Sequence, residues 1–438
     1  MPMEQKHFES LYPKETRLEE IKKILEFISS GKSCQVIGMP GIGKSSCMRL
    51  LPYNKDVRQL HLGSKKPSYH FVYMDFSEVA HRSLADIIKF ILISLAGSFG
   101  ERKMKEDEAV INNFLKEALK LSDEMVFSQS LKKSIDYLAN EKGINIVFLF
   151  DRFEEYVPSI DSRFFLNLKI LRNRAKYRFT TVFALDRPLE DILEAPIFAE
   201  FHEFLIGNNV FLPMFDRKGL EFRFSHLEEI LKKTTDEKTK VEIVKLTGGH
   251  GKTAKVALEA ILANEKKIDL PTLSEFLLSK NQVKAALFEI WQILTPEEKN
   301  LLLKNESNEF LGIIGLTNNG KITIPLFEDF IKTLPKNDEG KLSYASERNE
   351  ILKNGEDITE KFSSSEFKLL RFLLKNSGRI CEKDEIISNV WKDTKTQEGV
   401  TDQALDQIIY RLRKKIEENP NKPQFIQTIK GRGYKLTP

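Results

Sequence analysis

The feature that most constrains this chain is a glycine-rich segment at residues 38–45, between a short apolar run and a helical pattern. It fits G-x-x-x-x-G-K-[ST] and consists of Gly38, Met39, Pro40, Gly41, Ile42, Gly43, Lys44 and Ser45, followed by Ser46. We expect the three glycines to adopt positive φ, so that backbone N–H groups point toward phosphate oxygens. The following helix adds the positive end of its dipole. The segment therefore predicts a phosphate-binding loop.

Two side chains of the loop carry the expected chemistry. Lys44 is placed to reach the β- and γ-phosphates of a nucleoside triphosphate. The hydroxyl of Ser45 is placed to coordinate Mg²⁺. The predicted ligands are therefore ATP or ADP, together with Mg²⁺.

Composition limits the class of protein. The 438 residues exceed what one core usually holds, so two to four domains are expected. With 41% hydrophobic and 30% charged residues the chain is an ordinary globular type, and a net charge of +4 restricts any nucleic-acid surface to a local patch. Three separated cysteines, an N-terminus without an apolar segment and the lack of a bilayer-length apolar run predict a cytoplasmic protein without membrane contact.

Apolar runs alternate with helical patterns through the first half of the chain. The runs lie at 34–37, 69–76, 144–150, 180–185 and 209–214. Because strands that alternate with helices pair in parallel and are buried on both faces, this pattern predicts an α/β fold with a parallel sheet.

The run at 144–150 ends at an acid, Asp151. A carboxylate at the end of such a strand is the Walker B arrangement, in which it holds the Mg²⁺ shell while a nearby glutamate orients the attacking water. Glu154 and Glu155 are both candidates for that glutamate, and Glu154 is preferred.

Residues 8–280 resemble the AAA+-related STAND class of signalling NTPases. The matching pieces are Tyr12-Pro13-Lys14-Glu15, Asp151-Arg152-Phe153-Glu154-Glu155 and Thr247-Gly248-Gly249-His250. The resemblance implies that Arg187 is a catalytic sensor arginine, that Pro213 caps the nucleotide and that His250 lies in the lid. Whether His250 or Lys252 senses phosphate stays open.

The resemblance also divides the first three quarters of the chain. It implies an NTPase core at 1–215, a helical lid at 216–280 and, at 281–335, a first winged helix that acts as an intramolecular clamp. Within the last segment, Asn319-Gly320 between short apolar stretches predicts a tight hairpin. The polar stretch at 336–355 predicts a linker.

Residues 356–438 form the second strong pattern. Helices are predicted within the stretch 362–381 and at 382–391 and 401–418, followed by a β-hairpin at 424–436. The third helix has an apolar stripe and an opposite face of basic and amide groups, which suits the major groove. The hairpin carries Lys430, Arg432 and Lys435, which form a wing able to reach phosphate or the minor groove.

This segment resembles the OmpR/PhoB-type winged-helix DNA-binding domain, and the ending at 428–436 is its most specific match. The resemblance implies double-stranded DNA as a partner. The implied contacts are Gln407, Tyr410, Arg411, Arg413, Lys414, Lys415, Thr428, Lys430 and Arg432. By position, Gln407 and Arg411 would read base edges, whereas Arg413 and Lys414 would neutralise phosphates.

Together these patterns predict a multidomain protein: an AAA+/STAND-like NTPase with a helical lid, followed by two winged-helix domains. The first hypothesis is a transcription regulator in which slow ATP turnover switches sequence-specific DNA binding, with self-association as one way to do so. A second is an ATP-dependent DNA-remodelling enzyme of the replication-initiator kind. A third is a defence protein that senses foreign nucleic acid.

Overall fold

The computed structural model divides the chain into two compact units, Met1–Thr333 and Leu334–Pro438. It describes all residues except 1–6, 122, 161, 215–216, 265–267, 335–341, 347–348, 355, 392–401, 418, 421, 430 and 438, and except the side chains of residues 66, 67 and 121. Within that description, no helix combines the length and the apolar character needed to cross a bilayer.

The strands of the described chain fall into one parallel sheet and three small antiparallel ones. They are β1 (Cys34–Ile37), β2 (Tyr69–Asp75), β3 (Asn145–Asp151), β4 (Phe179–Leu185), β5 (Asn209–Phe211), β6 (Thr317–Asn318), β7 (Lys321–Ile322), β8 (Leu342–Ala345), β9 (Glu350–Lys353), β10 (Glu356–Asp357), β11 (Ile380–Cys381), β12 (Ile426–Ile429) and β13 (Gly433–Leu436).

The helices connect and cover these strands. They are α1 (Leu18–Ser29), α2 (Lys44–Tyr53), α3 (Lys55–Leu62), α4 (Leu84–Glu101), α5 (Lys105–Leu121), α6 (Glu124–Asp136), α7 (Ser162–Arg174), α8 (Leu189–Ile192), α9 (Ala195–Phe198), α10 (His202–Leu205), α11 (Arg217–Leu231), α12 (Glu237–Thr247), α13 (Gly251–Ala263), α14 (Leu273–Leu278), α15 (Asn281–Gln292), α16 (Pro296–Leu303), α17 (Glu309–Ile313), α18 (Pro325–Thr333), α19 (Ser364–Lys375), α20 (Lys383–Val390) and α21 (Asp402–Ile416).

The parallel sheet has the strand order β2-β3-β4-β1-β5. Strand β1, which leads into the glycine-rich loop, is separated from β3, which ends at Asp151, by one inserted strand. The register aligns Asp75 with Asp151 and Ile37 with Leu185, so the strands end along one edge of the sheet. This is the parallel α/β sheet expected from the alternating pattern, and β3 and β4 are buried along almost their whole length.

An aromatic core fixes the segment that follows β3. Phe153 is fully buried, and its ring centroid lies 4.8 Å from that of Phe183 and 5.0 Å from that of Phe76. Arg152, in front of it, adopts a left-handed conformation with φ of 51°. The anchored ring and the sharp turn together fix the position of the backbone at Glu154.

The segment expected to be a first winged helix is not confirmed as one. It consists of α15 to α18 with a single two-stranded hairpin, β6–β7, and it belongs to the first compact unit. The hairpin itself is confirmed: Asn318 pairs with Lys321, and Asn319 and Gly320 between them have φ of 49° and 78°. Both central residues have the positive φ that a type I′ turn requires.

The second unit contains a three-stranded sheet in the order β11-β13-β12, in which β12 and β13 form the predicted hairpin, and three helices. Helices α19, α20 and α21 share one apolar core, in which Trp391 is buried. Glu417 closes this core by accepting hydrogen bonds from the N–H groups of Gln424, Phe425 and Ile426.

The prediction of a linker at 336–355 is wrong for those of its residues that the structure describes. Strands β8, β9 and β10 form an antiparallel sheet in the order β10-β9-β8, and Leu342 and Ile351 are buried in the core of the second unit. The strands are short and half exposed, so their few apolar positions give a weak period-two pattern.

Changing Gly433 to alanine should unfold the second unit at lower temperature. Gly433 has φ of 127°, and a Cβ there would lie 2.1 Å from the carbonyl oxygen of Cys381. Strain and backbone overlap together should cost about 3 kcal/mol or more. Trp391 fluorescence in a Trp291→Phe background reports on this unit alone, because the chain has two tryptophans.

The matched control is Gly431→Ala. Gly431 has φ of 70°, but no atom lies within 4 Å of the added methyl group, so only strain of about 1 kcal/mol is expected. Equal losses of stability in the two variants would contradict the close approach at Cys381.

Candidate functional site

The glycine-rich loop forms a turn between β1 and α2. Gly41 and Gly43 have φ of 77° and 106°, as expected for a loop whose N–H groups turn inward. The same expectation is wrong for Gly38, which does not have positive φ. A Cβ on Gly38 would lie 2.9 Å from Ile42 Cγ2 and 3.3 Å from Leu212 Cβ, so close packing is what requires a glycine there.

Lys44 is buried at the centre of the loop. Its ammonium donates to the carbonyl oxygen of Gly38 at 2.8 Å and to Asp186 Oδ1 at 2.5 Å. Sequence reasoning assigned no role to Asp186, although its position directly after β4 could have indicated one. The pair stabilises the ammonium in a site built to hold negative charge, so a phosphate that binds Lys44 competes with Asp186.

Asp151 and Glu154 lie on the same side of the sheet as Lys44. Asp151 is buried and accepts hydrogen bonds from the Tyr73 hydroxyl at 2.5 Å and from the Arg152 N–H at 3.1 Å. Glu154 is mostly buried, and its Oε2 has no hydrogen-bond partner, whereas Glu155 is exposed. This oxygen is buried, lacks a hydrogen-bond partner and belongs to a carboxyl group close to the loop lysine. It is therefore suited to bind a water molecule or a ligand of a metal ion.

Burial raises the pKa of Glu154 to about 8, and the negative charges of Asp186 and Asp151 add to this while Lys44 opposes it. The native state therefore holds this proton more tightly than the unfolded chain does. Between the ordinary carboxyl pKa and about pH 8, stability should fall as the pH rises.

Glu154→Gln should remove this pH dependence. In the absence of nucleotide we expect both proteins to melt at similar temperatures near pH 5 and the variant to melt higher at pH 8, by on the order of 5 °C. Differential scanning fluorimetry across this range makes the measurement, with the exposed Glu155→Gln as control. Parallel melting curves for the wild type and Glu154→Gln would exclude the raised pKa.

Arg17 is a site residue that sequence reasoning missed. It is 2% exposed, has φ of 54°, and donates to the carbonyl oxygens of Ile42 at 2.8 Å and Pro213 at 2.9 Å. The guanidinium thus ties the phosphate loop to the segment after β5, where Pro213 was expected to cap a nucleotide. An arginine just before α1 was the available signal, but its buried partners lie far away in sequence.

The lid contacts the phosphate loop directly. His250 is fully buried; its Nε2–H donates to the Pro40 carbonyl oxygen at 2.8 Å and its Nδ1 accepts from the Thr253 hydroxyl at 2.7 Å. Burial lowers its pKa to about 4, so the ring is neutral. Both nitrogens are engaged, so in this conformation His250 binds the loop backbone. Lys252 forms an ion pair with Glu289 at 2.5 Å.

A second lid residue reaches the start of α2. Arg223 on α11 donates to the Ser46 hydroxyl at 3.1 Å and to the Tyr12 hydroxyl at 2.5 Å. The sequence offered no specific signal for it, because isolated arginines are common on such helices. It brings a positive charge to the anion-binding end of α2.

Arg187, expected as a sensor, contacts the segment after the lid. Its guanidinium donates to the Ile293 carbonyl oxygen at 3.0 Å, forms an ion pair with Glu298, and lies 4.3 Å from the centroid of the Phe310 ring. A catalytic role for Arg187 therefore requires this ion pair to open.

The remaining predictions for the nucleotide site concern Mg²⁺. The half-buried Ser45 hydroxyl makes no hydrogen bond within the described residues, so it is available as a ligand. No three His, Cys, Asp or Glu side chains converge on a cation site in the described part of the chain. Ser45 and Asp151 fit the usual arrangement, in which Mg²⁺ is held by few protein groups together with the nucleotide phosphates.

In the second unit, α21 presents the predicted polar face. Gln407, Tyr410 and Arg411 are exposed and, with Asp406, line a shallow concavity of about 450 Å³. The ammonium of Lys414 lies 4.9 Å from the centroid of the Tyr410 ring. Arg432 is exposed in the hairpin. Lys430 lies outside the described residues.

Three of the predicted DNA contacts, Arg413, Thr428 and Lys415, make hydrogen bonds within their own unit. Arg413 donates to the Ile426 carbonyl oxygen at 2.7 Å and to the Thr428 hydroxyl at 2.7 Å, which holds α21 against β12. Lys415 pairs with the buried Glu366 at 2.6 Å. These contacts stabilise the domain itself, so they explain the presence of these side chains without a contact to DNA.

The loop, the acids at the edge of the sheet and the strand order give the first unit the fold of a P-loop NTPase. The second unit is a winged-helix DNA-binding domain of the OmpR/PhoB type: residues 357–436 match the family model "Transcriptional regulatory protein, C terminal".

Relatives and solved structures resemble parts of the chain. Sensory transduction protein RegX3 of Mycolicibacterium smegmatis is 42% identical over 95 residues, which cover 20% of this chain and 37% of that protein. The RstA DNA-binding domain of Klebsiella pneumoniae, solved with the RstA box, is 27% identical over 23% of this chain and 94% of its own, with a TM-score of 0.20. A Walker-type ATPase of Pyrococcus abyssi is 15% identical over 75% of this chain and 97% of its own, with a TM-score of 0.48. The chain thus spans a little over a third of the first curated relative.

Proposed function

We propose that this chain is an ATP-controlled transcription regulator, in which the nucleotide held by the first unit sets the sequence-specific DNA binding of the second. The observation that carries the proposal is the presence in one chain of a phosphate loop with a buried lysine and a winged helix with an exposed amide and basic face.

The residues around Lys44 support a two-state nucleotide site. Lys44 is paired with Asp186 at 2.5 Å, and the segment predicted as the lid is tied to the loop through His250 and Pro40. A bound triphosphate would take over Lys44 and release Asp186. Because the lid and the loop share these contacts, the two ligation states favour different lid positions.

Slow turnover fits the protonation of Glu154. ATP supplies a γ-phosphoryl group whose transfer to water needs a base or an orienting carboxylate. Since its pKa is about 8, Glu154 is mostly protonated at neutral pH until nearby positive charge lowers that value. Hydrolysis at this site therefore depends on how far the bound nucleotide and Mg²⁺ lower the pKa of Glu154.

The face of α21 supports base readout. Gln407 and Arg411 are long, exposed and adjacent on the helix, and amide and guanidinium groups can form paired hydrogen bonds with adenine and guanine edges. Arg432 in the hairpin and Lys414 on the helix supply phosphate contacts.

DNA selection from a random duplex pool with the full-length protein tests the proposal, followed by titration of the selected and random duplexes with ATP, ADP or no nucleotide. We expect at least a thousandfold preference for the selected duplex and at least a fivefold change of affinity between nucleotide states. Equal binding to all duplexes would exclude sequence-specific regulation. An affinity for DNA that is the same with ATP, with ADP and without nucleotide would exclude nucleotide control of DNA binding.

A further inference from the structure

A second cavity, of about 590 Å³, lies on the first unit away from the phosphate loop. Its wall includes Tyr69 and His70 at the start of β2, Ile144 just before β3 and Pro52 near the end of α2. Parallel strands begin at one edge of a sheet and end at the other, so this cavity lies at the edge opposite to Lys44 and Asp151.

Two arginines line the cavity without a carboxylate partner. Arg58 donates to the carbonyl oxygens of Leu51 at 2.8 Å and Pro52 at 2.5 Å, and Arg102 donates to His70 Nδ1 at 3.2 Å. Neither guanidinium forms an ion pair with any described residue, and none of the lining residues is acidic. Each guanidinium therefore keeps further N–H donors beyond those hydrogen bonds.

His70 holds Arg102 in place. A guanidinium can only donate, so His70 Nδ1 accepts and its Nε2–H donates to the Ser98 hydroxyl at 2.8 Å. The ring is 2% exposed and stacks on Phe99 with centroids 3.7 Å apart. Burial, with the positive charges of Arg102 and Arg58, lowers the pKa of His70 far below its usual value, so the ring stays neutral and remains an acceptor.

The positive charges of Arg58 and Arg102 repel each other. Burial lowers the pKa of Arg102 to about 10, the charge of Arg58 adds to this, and Glu101 offsets only part of it. Positive charges that are partly removed from water are stabilised by an anion, and when no carboxylate of the protein forms an ion pair with them a ligand can supply that anion.

We propose that this cavity binds a small anionic metabolite through Arg58 and Arg102, independently of the nucleotide site. The anionic group is a phosphate or a cluster of carboxylates, either of which accepts paired hydrogen bonds from guanidinium groups. The volume is that of a pocket for a small organic molecule. Tyr69, Met104 and Ile144 offer an apolar wall for its uncharged part.

The test uses full-length Lys44→Ala protein, in which the phosphate loop no longer competes for anions, titrated with pyrophosphate or citrate by isothermal calorimetry. We expect saturable binding of at least one probe, and the preferred probe identifies the anionic group as phosphate or carboxylate. Adding Arg102→Gln should weaken that binding at least tenfold. The exposed Arg82→Gln is the charge-matched control and should leave the affinity unchanged.

A second variant keeps the proposal testable if Arg102→Gln fails to fold. Gln59 is exposed on α3 and lines the cavity, so Gln59→Glu brings a carboxylate to the two arginines without disturbing the core. This variant should melt at a higher temperature than its parent when no probe is present. Pyrophosphate or citrate, which should raise the melting temperature of the parent, should leave that of the variant unchanged. Two results would overturn the site: no saturable binding of either probe at millimolar concentration, or unchanged binding in Gln59→Glu.

Discussion

Replacing Lys44 with alanine is expected to weaken ATP binding at least a hundredfold. The buried ammonium is the charged donor placed to reach the terminal phosphates, and charge-assisted hydrogen bonds in such a site are among the strongest in proteins. The variant also leaves Asp186 without its partner, so its negative charge repels the phosphates. Equilibrium binding of a fluorescent ATP analogue to the full-length protein measures the loss.

Two matched variants separate these effects. Lys32→Ala removes an exposed charge just before β1 and should bind ATP like the wild type. Asp186→Asn should bind ATP more tightly, because phosphate no longer displaces an ion pair at 2.5 Å. If Lys44→Ala binds ATP within threefold of the wild type, the loop is not the nucleotide site.

Arg411→Ala and Arg432→Ala together should reduce affinity for a selected duplex about a hundredfold. Arg411 is 61% exposed and placed to read a base, a contact worth about 1–3 kcal/mol. Arg432 lies in the hairpin, where loss of a phosphate contact lowers the salt dependence by about 0.9 in log–log slope. Fluorescence anisotropy at several salt concentrations measures both quantities.

The two arginine variants should differ in kind. Arg411→Ala should relax specificity at one base position, whereas Arg432→Ala should weaken all duplexes alike. Lys375→Ala removes an exposed charge on α19, outside the predicted contacts, and serves as control. Unchanged affinity in the double variant would mean that α21 and the hairpin do not face DNA.

The sequence was most informative where burial is complete. Strands β3 and β4 are continuous apolar runs because both faces of the sheet are covered, and the predicted bounds agree with the structure within one residue. Asn319-Gly320 was equally reliable, because a two-residue hairpin needs positive φ at both positions.

Short, half-exposed strands were not predictable in the same way. Strand β8 has one buried residue, Leu342, and β9 has one, Ile351. In the sequence these two residues are separated mainly by polar and charged side chains, a pattern that resembles a solvated linker. Their strand conformation depends on packing against α19, which local sequence does not encode.

Contacts between site residues and partners distant in sequence were not predicted either. Asp186 matters because β4 lies next to β1, and Arg187 is engaged by Glu298, 111 residues later in the chain. Motif matching located Lys44, Asp151 and Glu154 but gave no indication of which side chains neutralise or restrain them. Only tertiary structure brings such partners together.

The hydrogen bond from Arg17 to the Pro213 carbonyl oxygen can form only late in the synthesis of the first unit. Strand β1 lies between β4 and β5, which are both synthesised much later. The hydrogen-bond partner of Arg17 lies 196 residues further along the chain. At ribosomal speeds that interval lasts roughly 10–40 s. During synthesis, β1 therefore has no neighbouring strand until β4 has been made, and the hydrogen bond from Arg17 forms only after residue 213 has been added.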